Sequence, residues 1–208
     1  MSKKKIKLLS IHRLEGLTDG IYAIAMTIMV LSLPVPKTIH NISSNSDLLD
    51  HLLDYSELFW TYLISFLLLG NFWIIQQKLF KYVKITCEKH LWANLGGLLV
   101  VCVIPFSSSL IGNHVDYFVA NIFFHANIFL IGMFFLLQCR SLIKHPEMLN
   151  EGVDRSAIGR IIKINLVLPC LSITGMVVAL FAPAWSPVVY ILAPFLTSRI
   201  ANRTQGRT

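Results

Sequence analysis

The strongest constraint on the fold is an apolar run near the start of the chain. Residues 16–33 are almost entirely apolar, and Pro34 ends the run. A helix of about 17–25 such residues spans the hydrocarbon core of a bilayer, which is about 30 Å thick. The ionisable Arg13 and Asp19 lie at or just inside its first turns. A charge at membrane depth is costly, so Asp19 is either a functional group or a helix cap near the membrane interface.

The composition of the whole chain is that of a membrane protein. Of its 208 residues, 55% are hydrophobic and only 14% are charged, which argues against an ordinary soluble domain. Apolar segments separated by polar stretches predict an all-α membrane protein with six transmembrane helices per subunit. The predicted spans are 14–33, 57–80, 91–112, 117–138, 160–182 and 186–198. The last is short and contains prolines, so we expect a tilted or incomplete crossing.

The basic residues indicate the orientation. Of the 18 Lys and Arg residues, only Lys37 falls in a segment predicted to face the outside. Cytoplasmic loops are enriched in Lys and Arg, so both termini are predicted in the cytoplasm. The chain then divides into a basic cytoplasmic tail (1–12), a membrane domain (13–198) and a second cytoplasmic tail (199–208). The net charge of +7 follows from this bias and indicates no nucleic-acid partner.

Motifs of enzymes and metal sites are absent from the sequence. There is no P-loop, dinucleotide-binding glycine pattern, zinc-protease motif or nucleophile elbow,. The four cysteines include no C-x-x-C pair, and the seven histidines include no pair at metal-ligand spacing,. His125 lies deepest in the fourth span, where it is interpreted as a hydrogen-bonding staple between helices. We expect no enzyme, no cofactor and no bound metal.

A shorter amphipathic helix is predicted ahead of the second span. Apolar and acidic residues alternate at helical spacing from Asp47 to Leu58,. Ser46, directly before Asp47, is the expected N-cap. The pattern predicts a lead-in helix that continues into the second span.

The first predicted helix has two distinct faces. An aliphatic stripe at spacings of three and four comprises Leu17, Ile21, Ile24, Ile28 and Leu31,. An adjacent track of small residues that permits close packing comprises Gly16, Gly20, Ala23 and Thr27,. Several copies around an axis would stack the stripe into rings that narrow a path and close it by dewetting. Periodicity alone favours the simpler alternative, in which the stripe faces lipid or the protein core.

Motifs in the first three predicted spans favour a pore-lining role for the aliphatic stripe over the simpler alternative. Residues 13–27 read RLEGLTDGIYAIAMT, residues 73–80 read WIIQQKLF, and residues 91–94 read LWAN, followed by Pro-Phe at 105–106. In this order they resemble the transmembrane protein 175 family of potassium channels. Leu-Thr stands where that family has Phe-Ser before the Asp, and Gln76 stands where it has His. A single-repeat chain is similar to the prokaryotic members, which assemble as tetramers.

The resemblance implies roles for particular residues. The first helix would line a central pore, with the constriction at Ile24, Ile28 and Leu31. Thr27 and Ala23 would support potassium selectivity. A network at the inner end would fix how the first helix is held, and its implied members are Arg13, Thr18, Asp19, Gln76, Trp92 and Asn94.

The resulting expectation is a homotetrameric channel in the lipid bilayer of a prokaryotic plasma membrane. It would pass potassium, a monovalent cation, passively down its gradient. Two alternatives stay open: an ion-coupled secondary transporter with Asp19 as the coupling-ion site, and a non-conducting membrane assembly protein. Saturable, gradient-coupled uptake would indicate the transporter, and flat bilayer recordings from an assembled oligomer would indicate the assembly protein.

Overall fold

The structure is a computed structural model that describes residues 9–31, 33, 44–153 and 155–205. Over these residues the fold is helical, apart from one short strand pair. The α-helices are α1 (Ile11–Leu31), α2 (Asn45–Asp54), α3 (Ser56–Phe80), α4 (Glu88–Asn113), α5 (Phe118–Lys144), α6 (Arg155–Asn165), α7 (Val167–Ala179) and α8 (Ala193–Gln205). The other elements are β1 (Leu9–Ser10), β2 (Ile85–Thr86) and two 3₁₀ helices, Pro146–Met148 and Pro183–Leu192.

Five helical stretches within the described ranges are long and apolar enough to cross a membrane. They are Ile11–Leu31, Leu58–Phe80, Glu88–Asn113, Phe118–Lys144 and Ser156–Ala179. The all-α membrane class is therefore confirmed, with five membrane-capable helices where the sequence predicted six. The first of them ends at Leu31, and Pro34, predicted to end it, lies outside the described residues.

The predicted sixth span, 186–198, has a different local structure. It combines the 3₁₀ helix Pro183–Leu192 with the beginning of α8. Pro183 and Pro187 lie within the 3₁₀ segment, and proline has no N–H to donate to a helical backbone. The 3₁₀ segment packs on α7 and α8 packs on α6. The chain therefore turns near residue 182 and returns along the fifth membrane-capable helix.

The core has two apolar clusters arranged around α4 and α5, which pack extensively on each other. The larger cluster is centred on buried side chains such as Met29, Phe72, Ile104, Phe124 and Leu168. The second cluster lies at the predicted cytoplasmic end and includes Leu14, Leu79, Phe80, Cys139 and Ile158. Both ends of α1 are thus held by the bundle.

Short backbone pairings join the loops at the predicted cytoplasmic end. β1 pairs antiparallel with β2, so the last residues of the predicted basic tail are ordered, while residues 1–8 lie outside the described part. The Lys84 N–H donates to the Met148 carbonyl at 2.8 Å, and the Asn150 N–H donates to the Tyr82 carbonyl at 2.9 Å. These bonds tie the α3–α4 loop to both the start of α1 and the loop after α5.

The amphipathic helix before the second span differs from the prediction. α2 begins at Asn45 and is separated from α3 by a break at Tyr55. Its N-cap is Ser44 instead of Ser46, and the Ser44 hydroxyl accepts the Asp47 N–H at 3.2 Å. An N-cap side chain accepts a backbone N–H two or three residues further along the chain. Ser44 has this spacing from Asp47, whereas Ser46 is its direct neighbour.

Candidate functional site

One face of α1 packs against the bundle. Its buried side chains recur every three or four residues and are Ile11, Leu14, Thr18, Tyr22, Ala25 and Met29. They face α3 and α4, the neighbours of α1 in the fold. A single helical face therefore supplies the packing that holds α1 within the chain.

The opposite face of α1 is bare in the single chain. Ile24 is 58% exposed, Ile28 46% and Leu31 79%. Leu17 is also exposed, whereas Ile21 is only partly buried and packs against the core. The predicted aliphatic stripe is thus available to a pore, to lipid or to a neighbouring subunit.

The small-residue track is also on the exposed side of α1. Gly16, Gly20, Ala23 and Thr27 are all exposed, and a methyl group added at either glycine would meet no other atom. The Thr27 hydroxyl lies 3.0 Å from the Ala23 carbonyl oxygen and 2.9 Å from that of Ile24, and donates to the backbone of its own helix. Lone pairs of the Thr27 oxygen remain free to accept a further contact.

Asp19 joins α1 to α3. The indole N–H of Trp73 donates to the Asp19 carboxylate at 2.8 Å. The side-chain amide of Gln77 donates to the same carboxylate oxygen. Trp73 and Gln77 are four residues apart, so they lie on one face of α3. Two donors directed at an ionised group make a strong, charge-assisted contact.

A second polar cluster lies behind Thr18, buried between the helices. The Thr18 hydroxyl donates to the Asn94 side-chain carbonyl at 3.4 Å. Gln138 on α5 accepts from Gln76 at 2.8 Å and from Asn94 at 3.4 Å. All four residues are nearly inaccessible to solvent. Hydrogen bonding satisfies these buried amides and fixes the positions of four helices relative to one another.

The structure brings together only some of the predicted network. Thr18, Gln76 and Asn94 form one cluster, and Asp19 forms the neighbouring contact with α3. Arg13 is exposed and makes no hydrogen bond or ion pair within the described part of the chain. Trp92 is 67% exposed and lies about 200° around α4 from Asn94, because they are two residues apart on a helix.

Three residues in these contacts were not predicted as network members. Trp73 and Gln77 belong to the quoted second-span motif, where their spacing of four could have indicated a shared partner. Gln138 lies in α5, beyond the spans that carry the resemblance. Its one signal in the sequence is a lone amide in an otherwise apolar stretch.

His125 forms the centre of a separate buried cluster near the other end of the bundle. Its Nδ1 lies 2.7 Å from the Tyr190 hydroxyl and its Nε2 lies 2.9 Å from the Ser186 hydroxyl. Ser186 donates in turn to the Asn121 side chain at 2.6 Å. His125 on α5 therefore binds the 3₁₀ helix Pro183–Leu192. The predicted staple between helices is present, with this segment as its partner.

The described residues contain no group of three or more His, Cys, Asp or Glu side chains that could hold a metal ion. The polar chemistry of the chain is instead concentrated in hydrogen bonds between helices. Such contacts position membrane helices; they do not by themselves catalyse a reaction.

Comparison with known proteins finds a resemblance to one family of membrane channels. Residues 13–105 match the sequence model of the family described as "Endosomal/lysosomal potassium channel TMEM175". A potassium channel from Chamaesiphon minutus is 26% identical over 192 residues, which cover 90% of this chain and 93% of the relative. The chain is similar to the TMEM175 family over residues 13–105 and to a bacterial potassium channel over most of its length. The matched family is one of ion channels and not of enzymes.

A solved structure of this family has the same fold. The crystal structure of a lysosomal potassium-selective channel TMEM175 homolog from Chamaesiphon minutus has a TM-score of 0.74 and 25% identity, and the match covers 91% of this chain and 97% of that chain. A potassium channel from Chryseobacterium sp. (strain P1-3) is 37% identical over 100 residues, which span about half of each chain, 48% in both cases. The chain is thus a multi-pass membrane protein, and both bacterial relatives described above are named potassium channels.

Proposed function

We propose that this protein is a potassium-selective channel in which α1 lines the pore and its aliphatic face forms the constriction. The supporting observation is the bare stripe of Ile24, Ile28 and Leu31 on a membrane-capable helix whose other face is packed. The resemblance to a family of potassium channels makes a pore the favoured use of that face over simple exposure to lipid.

In the proposed assembly, four subunits place their α1 helices around a common axis. At about 1.5 Å of rise per residue, Ile24 and Ile28 lie about 6 Å apart along the axis, and Leu31 lies about 4.5 Å beyond Ile28. Four copies of each would form three stacked apolar rings, of which Ile24 is the narrowest. Such a constriction excludes water when closed and requires partial dehydration of an ion when open. Potassium loses its hydration water more readily than sodium, which favours potassium.

Thr27 and Ala23 support the constriction from the adjacent face. Their small side chains allow neighbouring α1 helices to approach closely. The Thr27 hydroxyl donates to its own backbone, so its oxygen is free to face a partly dehydrated cation. Potassium is the permeant ion in this proposal, and no cofactor takes part.

The polar contacts at the inner end hold α1 in the orientation that the pore requires. Thr18 and Asp19 connect it to Asn94, Gln76 and their neighbours on three other helices. Arg13, exposed on the surface of the subunit, is assigned to a contact with a neighbouring subunit. Trp92 has no contact with this cluster in the single chain, and we leave it out of the proposed network.

The placement in the membrane is also part of the proposal. The returning segment 183–205 supplies a sixth crossing, so that both termini lie in the cytoplasm of a prokaryotic cell and the channel resides in its plasma membrane. The basic residues of the chain are then almost all on the cytoplasmic side,. The division into tails 1–12 and 199–208 and a membrane domain 13–198 stays a prediction.

Ion flux into liposomes that contain the purified protein tests the pore. We expect uptake of rubidium, a potassium substitute, to exceed uptake of sodium. Ile24→Asn should increase flux and reduce the preference for rubidium, because an amide at the narrowest ring is wetted more easily. The matched control is Ile173→Asn on α7, where the isoleucine is similarly exposed at 52%.

The outcomes of this experiment are distinct. Equal uptake of both ions by the unmodified protein would contradict selectivity. Unchanged flux in correctly assembled Ile24→Asn protein, or an equal effect of Ile173→Asn, would remove Ile24 from the pathway. Uptake that saturates and depends on the gradient of a second ion would identify a transporter.

A further inference from the structure

A basic cavity lies between the predicted inner ends of α4 and α5, and no residue of α1 lines it. Its volume is about 370 Å³, within the range typical of ligand pockets,. Lys89 from the first turn of α4 lines one side, and Arg140 and Lys144 from the last turns of α5 line the other. Arg140 and Lys144 are four residues apart and therefore project from the same face of their helix.

The positive charge of this cavity is not neutralised within the described residues. No Asp or Glu side chain lines the cavity. None of the ion pairs among the described residues includes Lys89, Arg140 or Lys144. His145, a fourth basic group at the rim, lies 3.1 Å from the Glu147 carboxylate. Hydrogen bonds from its own backbone N–H and from His145 lower the pKa of Glu147. The Glu147 carboxylate therefore stays ionised and pairs with His145. Three cations remain directed at one space.

The wall of the cavity on the membrane side is apolar. Phe134 and Leu137 precede Arg140 on α5 by about two turns and one turn, which places them deeper toward the middle of the helix,. Trp92 lines the α4 side and is 67% exposed. The cavity therefore combines a cationic end at the membrane interface with an apolar, exposed end that continues into the hydrocarbon region.

We propose that this cavity binds the phosphate head group of an anionic glycerophospholipid from the cytoplasmic leaflet, with an acyl chain against Phe134, Leu137 and Trp92. A basic pocket between membrane helices on the cytoplasmic side provides the charge complementarity that such a head group requires. A soluble phosphate would use the cationic end but not the apolar wall. The inference depends on the membrane orientation of the chain and not on ion conduction.

The test uses the full chain in phosphatidylcholine liposomes. A small fraction of the lipid is replaced by phosphatidylglycerol brominated on its acyl chains or, in a parallel sample, by brominated phosphatidylcholine. Bromine quenches tryptophan fluorescence on contact, so Trp92 reports a lipid in the cavity. We expect stronger quenching by the anionic lipid, and we expect this excess to disappear in Trp92→Phe.

Variants locate the charge that holds the lipid. The triple variant Lys89→Gln, Arg140→Gln, Lys144→Gln should lower the binding preference for the anionic lipid by about tenfold or more. The control Lys81→Gln, Lys84→Gln, Lys163→Gln removes the same charge from exposed positions at the same end of the bundle and should retain the preference. The single change Arg140→Gln at an exposed side chain provides the measurement if the triple variant does not reconstitute.

Four results would overturn the proposal. One is an equal loss of preference in the control variant, which would indicate diffuse surface attraction. Another is that both the Arg140→Gln variant and the triple variant keep the full binding preference for the anionic lipid. A third is removal of the excess quenching by millimolar glycerol phosphate, which would identify a site for soluble phosphate. The fourth is quenching that does not depend on Trp92, as expected if a neighbouring subunit covers the cavity.

Discussion

Asp19 illustrates how an acidic residue is retained in a membrane helix. Its carboxylate accepts hydrogen bonds from Trp73 and Gln77, both on the same face of α3. These donors replace part of the hydration that the carboxylate loses, so the cost of placing it near the membrane is reduced. The contact joins two helices, which favours an anchoring role for Asp19 over that of a coupling-ion site.

Replacing Asp19 tests this anchoring role. Asp19→Ala removes the acceptor for both donors, and hydrogen bonds to charged groups are worth about 1.5–3 kcal/mol. We therefore expect a lower thermal midpoint of the protein in detergent. Asp116→Ala is the matched control, since Asp116 is exposed and makes no hydrogen bond or ion pair among the described residues. Equal midpoints for the two variants would contradict the role.

The polar network could be predicted in part from the sequence. The family motifs pointed to Thr18, Gln76 and Asn94, and these three residues do lie in one cluster. The connecting residue, Gln138, is distant in sequence, and its position depends on how α5 packs against α4. Trp92 belongs to the same motif as Asn94 but lies on another face of α4. A motif fixes which residues are present, whereas the helix period fixes which of them can meet.

The bounds of the long helices followed closely from apolar runs, because burial and membrane insertion both depend on local composition. The predicted span 57–80 corresponds to α3, which begins one residue earlier. The predicted span 91–112 corresponds to α4, which begins three residues earlier and ends one residue later. Helix caps and breaks were less predictable. The sequence predicted Ser46 as the N-cap of α2, whereas Ser44 is the observed one. The break between α2 and α3 falls at Tyr55, where no proline or glycine indicates it.

The 3₁₀ helix Pro183–Leu192 could not be predicted as such from hydropathy. Its prolines disfavour an α-helix, but the geometry it adopts depends on tertiary contacts. Tyr190 and Ser186 both bond to the buried His125. These contacts compensate for the poorer backbone hydrogen bonding of a 3₁₀ helix, which is uncommon at this length.

Gly175 on α7 is required for the His125 cluster to form. A methyl group added at Gly175 would overlap the imidazole of His125, which is fully buried and bonded on both nitrogens. Gly175→Ala should therefore displace the ring and lower stability by about 1–3 kcal/mol. The effect is measured as the thermal midpoint in detergent, together with faster amide exchange of the 3₁₀ segment.

Gly159 provides a control of opposite sign for this change. It lies within α6, and a methyl group added there meets no other atom. Alanine in an open helical position is more favourable than glycine by about 0.5–1 kcal/mol. Gly159→Ala should therefore leave the midpoint unchanged or raise it. A stabilising effect of Gly175→Ala would show that the His125 ring does not occupy the space we assign to it.

At the scale of the whole molecule, the decisive feature is the return of the chain after residue 182. The 3₁₀ segment packs on α7, and α8 packs on α6. The last segment therefore runs antiparallel to the fifth membrane-capable helix along both of its halves. Ten 3₁₀ residues rise about 20 Å and thirteen α-helical residues rise about 20 Å,. Together they exceed the hydrocarbon thickness of about 30 Å.

This arrangement predicts an even number of crossings, with the C-terminus on the same side as the N-terminus. α6 begins at Arg155 and has Arg160 at its middle, and α8 has Arg199 at its middle and Arg203 near its end. Since α6 and α8 pack together, these basic residues gather at one end of the bundle, as expected for the cytoplasmic side. Without the return segment, the chain would end on the opposite side of the membrane.

Reporter fusions measure directly on which side of the membrane the C-terminus lies. Green fluorescent protein folds to its fluorescent form in the cytoplasm, whereas alkaline phosphatase is active only after export. Fused after residue 208, fluorescent protein should be bright and phosphatase inactive. After residue 182, ahead of the return segment, fused fluorescent protein should be dark and fused phosphatase should be active. The sensitivity of this design lies in the second junction, because both fusions contain the same five membrane-capable helices and differ only in the segment under test. Active phosphatase at residue 208 would mean that 183–205 lies along the membrane surface, and the bundle would then have five crossings.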